Sequence, residues 1–172
     1  IDGIMISDIS LSNVKTVYMF TGNRHCNNFY LTYRGCYMQK LKKLEERIGY
    51  RFKDFSLLET AMTHSSYAHE RNIQSYERLE FLGDAVLNFT VAVEIFRSHP
   101  DKDEHFLTDL KSAYVNRNYL HRLGKKLGLG EILRHSGPKN IRLDQAVEAL
   151  IGAIYIDGGY LYAKNFIKKF IL

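Results

Sequence analysis

No stretch of this sequence approaches the roughly 18 consecutive apolar residues of a membrane span. The longest apolar run, "ALIGAIYI" at 149 to 156, is far shorter, so neither a span nor a membrane partner is expected. The opening "IDGIMISDIS" has no basic leader ahead of an apolar stretch, and no signal peptide is expected in these residues. Cysteine is scarce: Cys26 and Cys36 cannot build a disulfide framework, and with His25 they fall one ligand short of a tetrahedral zinc site. Reduced thiols in an intracellular protein, cytoplasmic or nuclear, are the expectation. Internal repeats are absent, which excludes a repeat architecture. Two classes of metalloprotein fall away as well. No Glu has a His three residues after it, as a di-iron bundle requires, and "HERNI" at 69 to 73 lacks the second histidine of a zinc protease.

What is present points to one helical domain. The chain has 172 residues, 45% of them hydrophobic, enough for one sizeable core. Residues 1 to 38 differ in character from the rest: "VKTVYMF" and "FYLTY" are β-branched or aromatic and flank the turn-forming "TGNRHCNN", the pattern of a β-hairpin appendage. From Gln39 the period turns helical. Leu41, Leu44 and Ile48 share a face, and Gly49 stands where that helix would stop. "SLLE" at 56 to 59 predicts a capping box with Ser56 opening a helix through Met62. Ser75 is the expected cap of a long helix that runs to "SHP", where Pro100 forbids continuation. Further helices are expected from Thr108, over "RNYLHRLGKKLG" up to Gly128, over "LDQAVEALIGAIYIDGG" to Gly158 and Gly159, and from Ala163 to Leu172. The net charge of +5 suits a polyanionic partner.

Against that basic balance, "SYERLEFLGDAVLNF" at 75 to 89 places Glu77, Glu80 and Asp84 in an otherwise greasy helix. Glu80 and Asp84 lie about 40° apart on the helix, with Glu77 on the same side. Acids at i and i+4 repel, and Arg78 points away from Asp84. A second acidic pair, Asp144 and Glu148, sits on another helix expected to be buried. Acids converging from two helices form a hard, oxygen-rich pocket suited to magnesium or manganese.

At this point "ERLEFLGDAVL" at 77 to 87 resembles the signature of the ribonuclease III domain shared by bacterial ribonuclease III, Drosha and Dicer. "IGYRF" and "LLETAMTHSSY" before it, and "DEHFLTDLKSAYVNRNYL" and "VEALIGAIYIDGGY" after it, extend the resemblance over residues 39 to 172. The resemblance implies an all-α ribonuclease III nuclease domain that cuts double-stranded RNA as a homodimer, with one cutting centre per strand and no organic cofactor. Glu80, Asp84 and Glu148 match the carboxylates that hold magnesium, for which manganese can substitute. Glu77 and Glu104 match acids in supporting positions. Phe81 matches the aromatic that docks into the partner subunit, and His64 and Ser65 in "THSS" match a motif near the site, with capping or packing as the competing role.

Two positions depart from the pattern: Tyr76 stands where the signature usually has Asn, and Gln145 where an acid usually stands. Gln145, or Asp144 one residue earlier, would complete the metal set. The unbroken "VEALIGAIYIDGG" favours Gln145, acting through its carbonyl. Lys111, Arg117 and Arg122 are candidate phosphate contacts, since A-form RNA is held largely through its backbone. The rival function is a non-catalytic RNA-binding or ribosome-associated protein on the same fold. Gln145 favours it, and retention of Glu77, Glu80, Asp84, Glu104 and Glu148 argues against it.

Overall fold

The computed structural model describes residues 33–137 and 141–172. The expected β-hairpin lies almost wholly outside them. Eight α-helices occupy the described residues: α1 (Tyr33–Ile48), α2 (Phe55–Ala61), α3 (Ser65–Arg71), α4 (Glu77–Ser98), α5 (Glu104–Tyr114), α6 (Arg117–Lys126), α7 (Asp144–Gly158) and α8 (Tyr160–Phe170). No strand forms among the described residues, although Thr63 and Arg134 make an isolated parallel bridge. The all-helical fold expected from the sequence is therefore the fold observed. No helix among the described residues is long and apolar enough to cross a membrane.

Helix α7 is the hub. Ala146, Val147, Ala149, Leu150, Ile151, Ala153 and Ile154 are all fully buried, so it is apolar on nearly every side, as a helix enclosed by others must be. Its principal neighbour is α4, with α2, α6 and α8 also packed against it. Asp157 near its C-terminal end accepts hydrogen bonds from the Tyr50 hydroxyl at 2.6 Å and from the backbone N–H groups of Lys53 and Asp54 at 2.9 and 2.8 Å. These bonds tie the α1–α2 connection onto α7. Gly159 then ends α7 with φ +85°, a conformation that L side chains rarely adopt.

Several helix ends differ from expectation. Helix α1 begins at Tyr33, ahead of Gln39. At α2 the cap is Asp54, whose Oδ1 accepts from the Ser56 N–H at 2.9 Å and from its hydroxyl at 2.6 Å; a carboxylate outcompetes the hydroxyl for the orphan amide. Helix α5 starts at Glu104 and not at Thr108, because Asp103 accepts from the Phe106 N–H at 2.9 Å. At α4 the cap position falls on Tyr76, which makes no side-chain cap bond. Ser75 lies one residue earlier, with the Glu77 N–H a long 3.4 Å from its hydroxyl. Helix α8 starts at Tyr160, immediately after Gly159, and so includes residues ahead of Ala163.

The packing of α4 on α7 is closest where two glycines meet. A Cβ on Gly83 would run into the Glu148 carbonyl, and one on Gly152 would run into the carbonyl of Leu79. The obstacles are backbone atoms on both sides, so no side-chain rotation relieves them. Gly152→Ala should therefore lower the unfolding free energy by about 3 kcal/mol, read by urea denaturation. Gly137→Ala, where an added Cβ meets nothing within 4 Å, should cost close to nothing.

Candidate active site

The glycine contact determines which side chains meet. Glu80 and Asp84 flank Gly83 on α4, while Glu148, whose carbonyl abuts Gly83, precedes Gly152 by one helical turn on α7. Two acids from one helix therefore face one from the other. Burial comes first in pushing the Glu148 carboxyl up to about 7, and Asp84, Glu80 and Asp144 add to the shift against an opposing pull from Arg117. Glu80 is also raised. Burial is again the largest cause, opposed by a hydrogen bond from Gln145 and reinforced by Glu77, Asp144 and Asp84. Among the described residues, no Lys, Arg or His forms an ion pair with Glu80, Asp84 or Glu148.

The remaining expected site residues divide into near and far. Gln145 is near: its amide nitrogen donates to Glu80 Oε1 at 2.8 Å, and its carbonyl accepts from the Tyr76 hydroxyl at 3.1 Å. Asp144 is 4% exposed, and its Oδ1 pairs with Arg142 Nε at 3.2 Å. Glu77 is exposed, and its carboxylate accepts from the Ser75 hydroxyl at 2.8 Å. Glu104 is exposed on α5, where its carboxylate accepts from Thr108 within the same helix. Arg117, the first residue of α6, is exposed and acts electrostatically on Glu148. Lys111 on α5 shows no such link, and Arg122 lies 5.9 Å from the Tyr119 ring. His64 caps α3, its Nδ1 accepting from the Ser66 N–H at 3.1 Å, and its ring meets Tyr76 edge-on at 5.4 Å. Capping and packing are what the structure gives it.

Two further residues contribute to the site, neither of them assigned a role from the sequence. Asn88 donates to Asp84 Oδ1 at 2.8 Å, a contact that the i, i+4 spacing could have revealed. Tyr76 was read only as a departure, yet it is 1% exposed and bonded to Gln145. Burial, followed by Glu80, Glu77, Asp144 and Glu148, holds its phenol protonated well above the ordinary range.

A divalent cation suits this donor set. All the donors are hard oxygens. Glu80 and Glu148 are half-buried with Asp84 exposed beside them, and among the described residues none of the three has an ion-pairing partner, a state that a cation would relieve. Among the described residues the carboxylates are not gathered into a ready-made metal group. Glu80 Oε2 and Asp84 Oδ2, however, accept no hydrogen bond there and are free to turn inward.

The chain and its fold are similar to proteins of one family. Residues 54–172 match the Ribonuclease-III-like family model. Ribonuclease 3 from Anaplasma marginale (strain Florida) is 42% identical over 135 residues, covering 74% of this chain and 58% of that protein. Ribonuclease 3 from Anaplasma phagocytophilum is 46% identical over 129 residues, covering 70% and 54%. Among solved structures, the nuclease domain of ribonuclease III from Campylobacter jejuni, in which a region involved in dimer formation is flexible, matches with TM-score 0.71 and 36% identity, covering 76% of this chain and 95% of that one. The chain belongs to the ribonuclease III family. It spans somewhat over half the length of the curated relatives it matches.

The raised Glu148 carboxyl has a signed consequence for the metal-free protein. Its folded pKa of about 7 lies above the ordinary 4.5, so its contribution is fully favourable below about 4.5 and is lost as pH rises through about 7. Glu148→Gln should remove that loss, leaving the variant more stable than the parent at pH 8 by ~1–2 kcal/mol. This figure is discounted because the carboxyl is partly open to solvent. Thermal unfolding in EDTA at pH 5 and pH 8 checks it.

Proposed function

We propose that residues 39–172 are the nuclease domain of a metal-dependent endonuclease that hydrolyses phosphodiester bonds in double-stranded RNA. The single observation carrying this reading is the convergence of Glu80, Asp84 and Glu148 across α4 and α7, with none of them in an ion pair among the described residues and Glu148 raised to about 7. A fold that needed these positions only for packing would gain by losing the charges.

Each residue then has a part. Glu80, Asp84 and Glu148 hold the cation. Glu148 gives up its proton as the cation enters, because a ligand must be deprotonated. Glu77 lies outward, and its like charge adds to the repulsion that raises the Glu80 carboxyl. Glu104, on a separate helix, is assigned to the rim. Magnesium, with manganese as its substitute, supplies when bound the charge that activates water and offsets the negative charge developing on the phosphodiester. Arg117 stands beside the acids and is the foremost candidate for holding the RNA backbone, with Lys111 and Arg122 extending the basic surface along α5 and α6.

Pairing of two copies is supported by the outer face of α4. Phe81 is 81% exposed, Phe89 59% and Phe96 70%, a concentration of bare aromatic surface that single soluble domains rarely keep uncovered. A two-fold pairing through Phe81 would give each RNA strand its own centre. A second reading, an RNA-binding protein without cleavage, is favoured by Gln145, which takes one acid out of the cluster.

Incubation with long duplex RNA separates the readings. Short duplex products should form with magnesium and not with EDTA, and Asp84→Asn should slow cleavage by about a hundredfold or more, since the cation is asked to supply several kcal/mol. Binding without cleavage at every magnesium concentration would instead give the binding module the lead. In sedimentation, Phe81→Glu should halve the mass of the parent.

A further inference from the structure

Tyr76 and Gln145 depart from the family pattern at positions 69 residues apart, and in the fold they touch. The Tyr76 hydroxyl donates to Gln145 Oε1 at 3.1 Å, and Gln145 Nε2 donates to Glu80 Oε1 at 2.8 Å. The phenol is delivered from a fixed position. The Tyr76 N–H donates to the Thr63 carbonyl at 2.9 Å, its own carbonyl accepts from the Glu80 N–H at 2.9 Å, and its ring is 1% exposed against His64.

The polarity of this chain of bonds follows from the groups in it. A carboxylate only accepts, so the end of the Gln145 amide that faces Glu80 must be the NH2. Turning the amide over would set two acceptor oxygens against each other at Glu80. With the nitrogen committed to Glu80, the carbonyl faces Tyr76, and a phenol supplies the proton it needs.

We propose that Tyr76 is a positioning residue that acts through Gln145 on Glu80: the phenol claims the Gln145 carbonyl, and the amide serves Glu80 as a hydrogen-bond donor and not the cation as a ligand. The relay itself stands on the hydrogen bonds. Its effect on cation binding rests on the nuclease reading above. Gln145 then takes over neither the charge nor the coordination of the acid usual at its place. It aims one oxygen of Glu80, leaving Glu80 Oε2 for the cation. Tyr76 is the complement that makes a neutral residue workable there.

The test uses the whole chain, labelled with 15N. In metal-free protein, Tyr76→Phe should shift the Gln145 side-chain amide resonances toward those of a free glutamine and speed their exchange with water; Gln145→Met identifies the resonances by their disappearance. Unmoved resonances in Tyr76→Phe overturn the relay. Calorimetric titration with magnesium reads the consequence. Tyr76→Phe and Gln145→Met should each weaken binding about fivefold, the worth of roughly one hydrogen bond. The double variant should be no worse than either single one, because both cut the same chain.

Were Gln145 a ligand through its carbonyl, Tyr76→Phe would free that oxygen, and magnesium would bind as tightly as before or more tightly. That result overturns the proposal, as does unaltered affinity in Gln145→Met, which leaves the Tyr76 ring untouched. If the unaltered chain binds no magnesium, the nuclease reading fails, and the resonances alone decide the relay.

Discussion

Everything distinctive in this molecule depends on α4 and α7 touching backbone to backbone at Gly83 and Gly152. Helices normally pack 8–10 Å apart because side chains stand between them. Where both contacting residues lack a Cβ, the axes can close in. Glu80 and Asp84, on either side of Gly83, then face Glu148 across the crossing. A bulkier residue at either glycine would separate the acids and open the core together, so the site and the fold share one contact. The other helices serve this pair. α2, α6 and α8 enclose α7, and Asp157 holds the α1–α2 connection against its far end.

The electrostatics follow from the crossing. Bringing carboxylates together out of water is unfavourable, and the chain meets that cost differently at each acid. Asp144, the most buried, is paired with Arg142. Asp84 stays exposed to water and takes the Asn88 amide, and half-buried Glu80 takes that of Gln145. Among the described residues Glu148 has no such partner, and it is pushed to about 7. The unrelieved repulsion thus falls on Glu148, which it drives toward its protonated form, and a cation between the helices would answer it. The overall +5 charge does not contradict an acidic centre, since basic residues such as Arg117 and Arg122 lie on exposed surfaces, where a polyanion would approach.

Much of this was legible in the sequence, and the failures have physical causes. The apolar and capping patterns pointed to seven of the eight α-helices, missing only the short α3, and Pro100 and Gly159 marked ends because each imposes a backbone constraint that no tertiary contact removes. The acids on α4 and α7 were legible because charge inside an apolar period is unusual. Starts were misplaced where two capping residues competed. Asp54 displaced Ser56 and Asp103 displaced Thr108, because which side chain reaches the free amide is decided by the folded backbone. Gly152 passed as one more small residue in an apolar run, since close approach is a property of two helices and not of one. Tyr76 and Gln145 were each noticed as departures, but their contact spans 69 positions, and no local pattern carries information over that distance.

The central claim is that the α4–α7 crossing forms a cation site. It is tested most directly by growing crystals of the chain, soaking them in manganese and locating the ion by its anomalous scattering. The account predicts a peak between the two helices, bonded at about 2.0–2.3 Å to oxygens of Glu80, Asp84 and Glu148, with the Gln145 carbonyl still turned toward Tyr76. Manganese bound only elsewhere on the surface, with the three carboxylates left as they stand in the free protein, would contradict it.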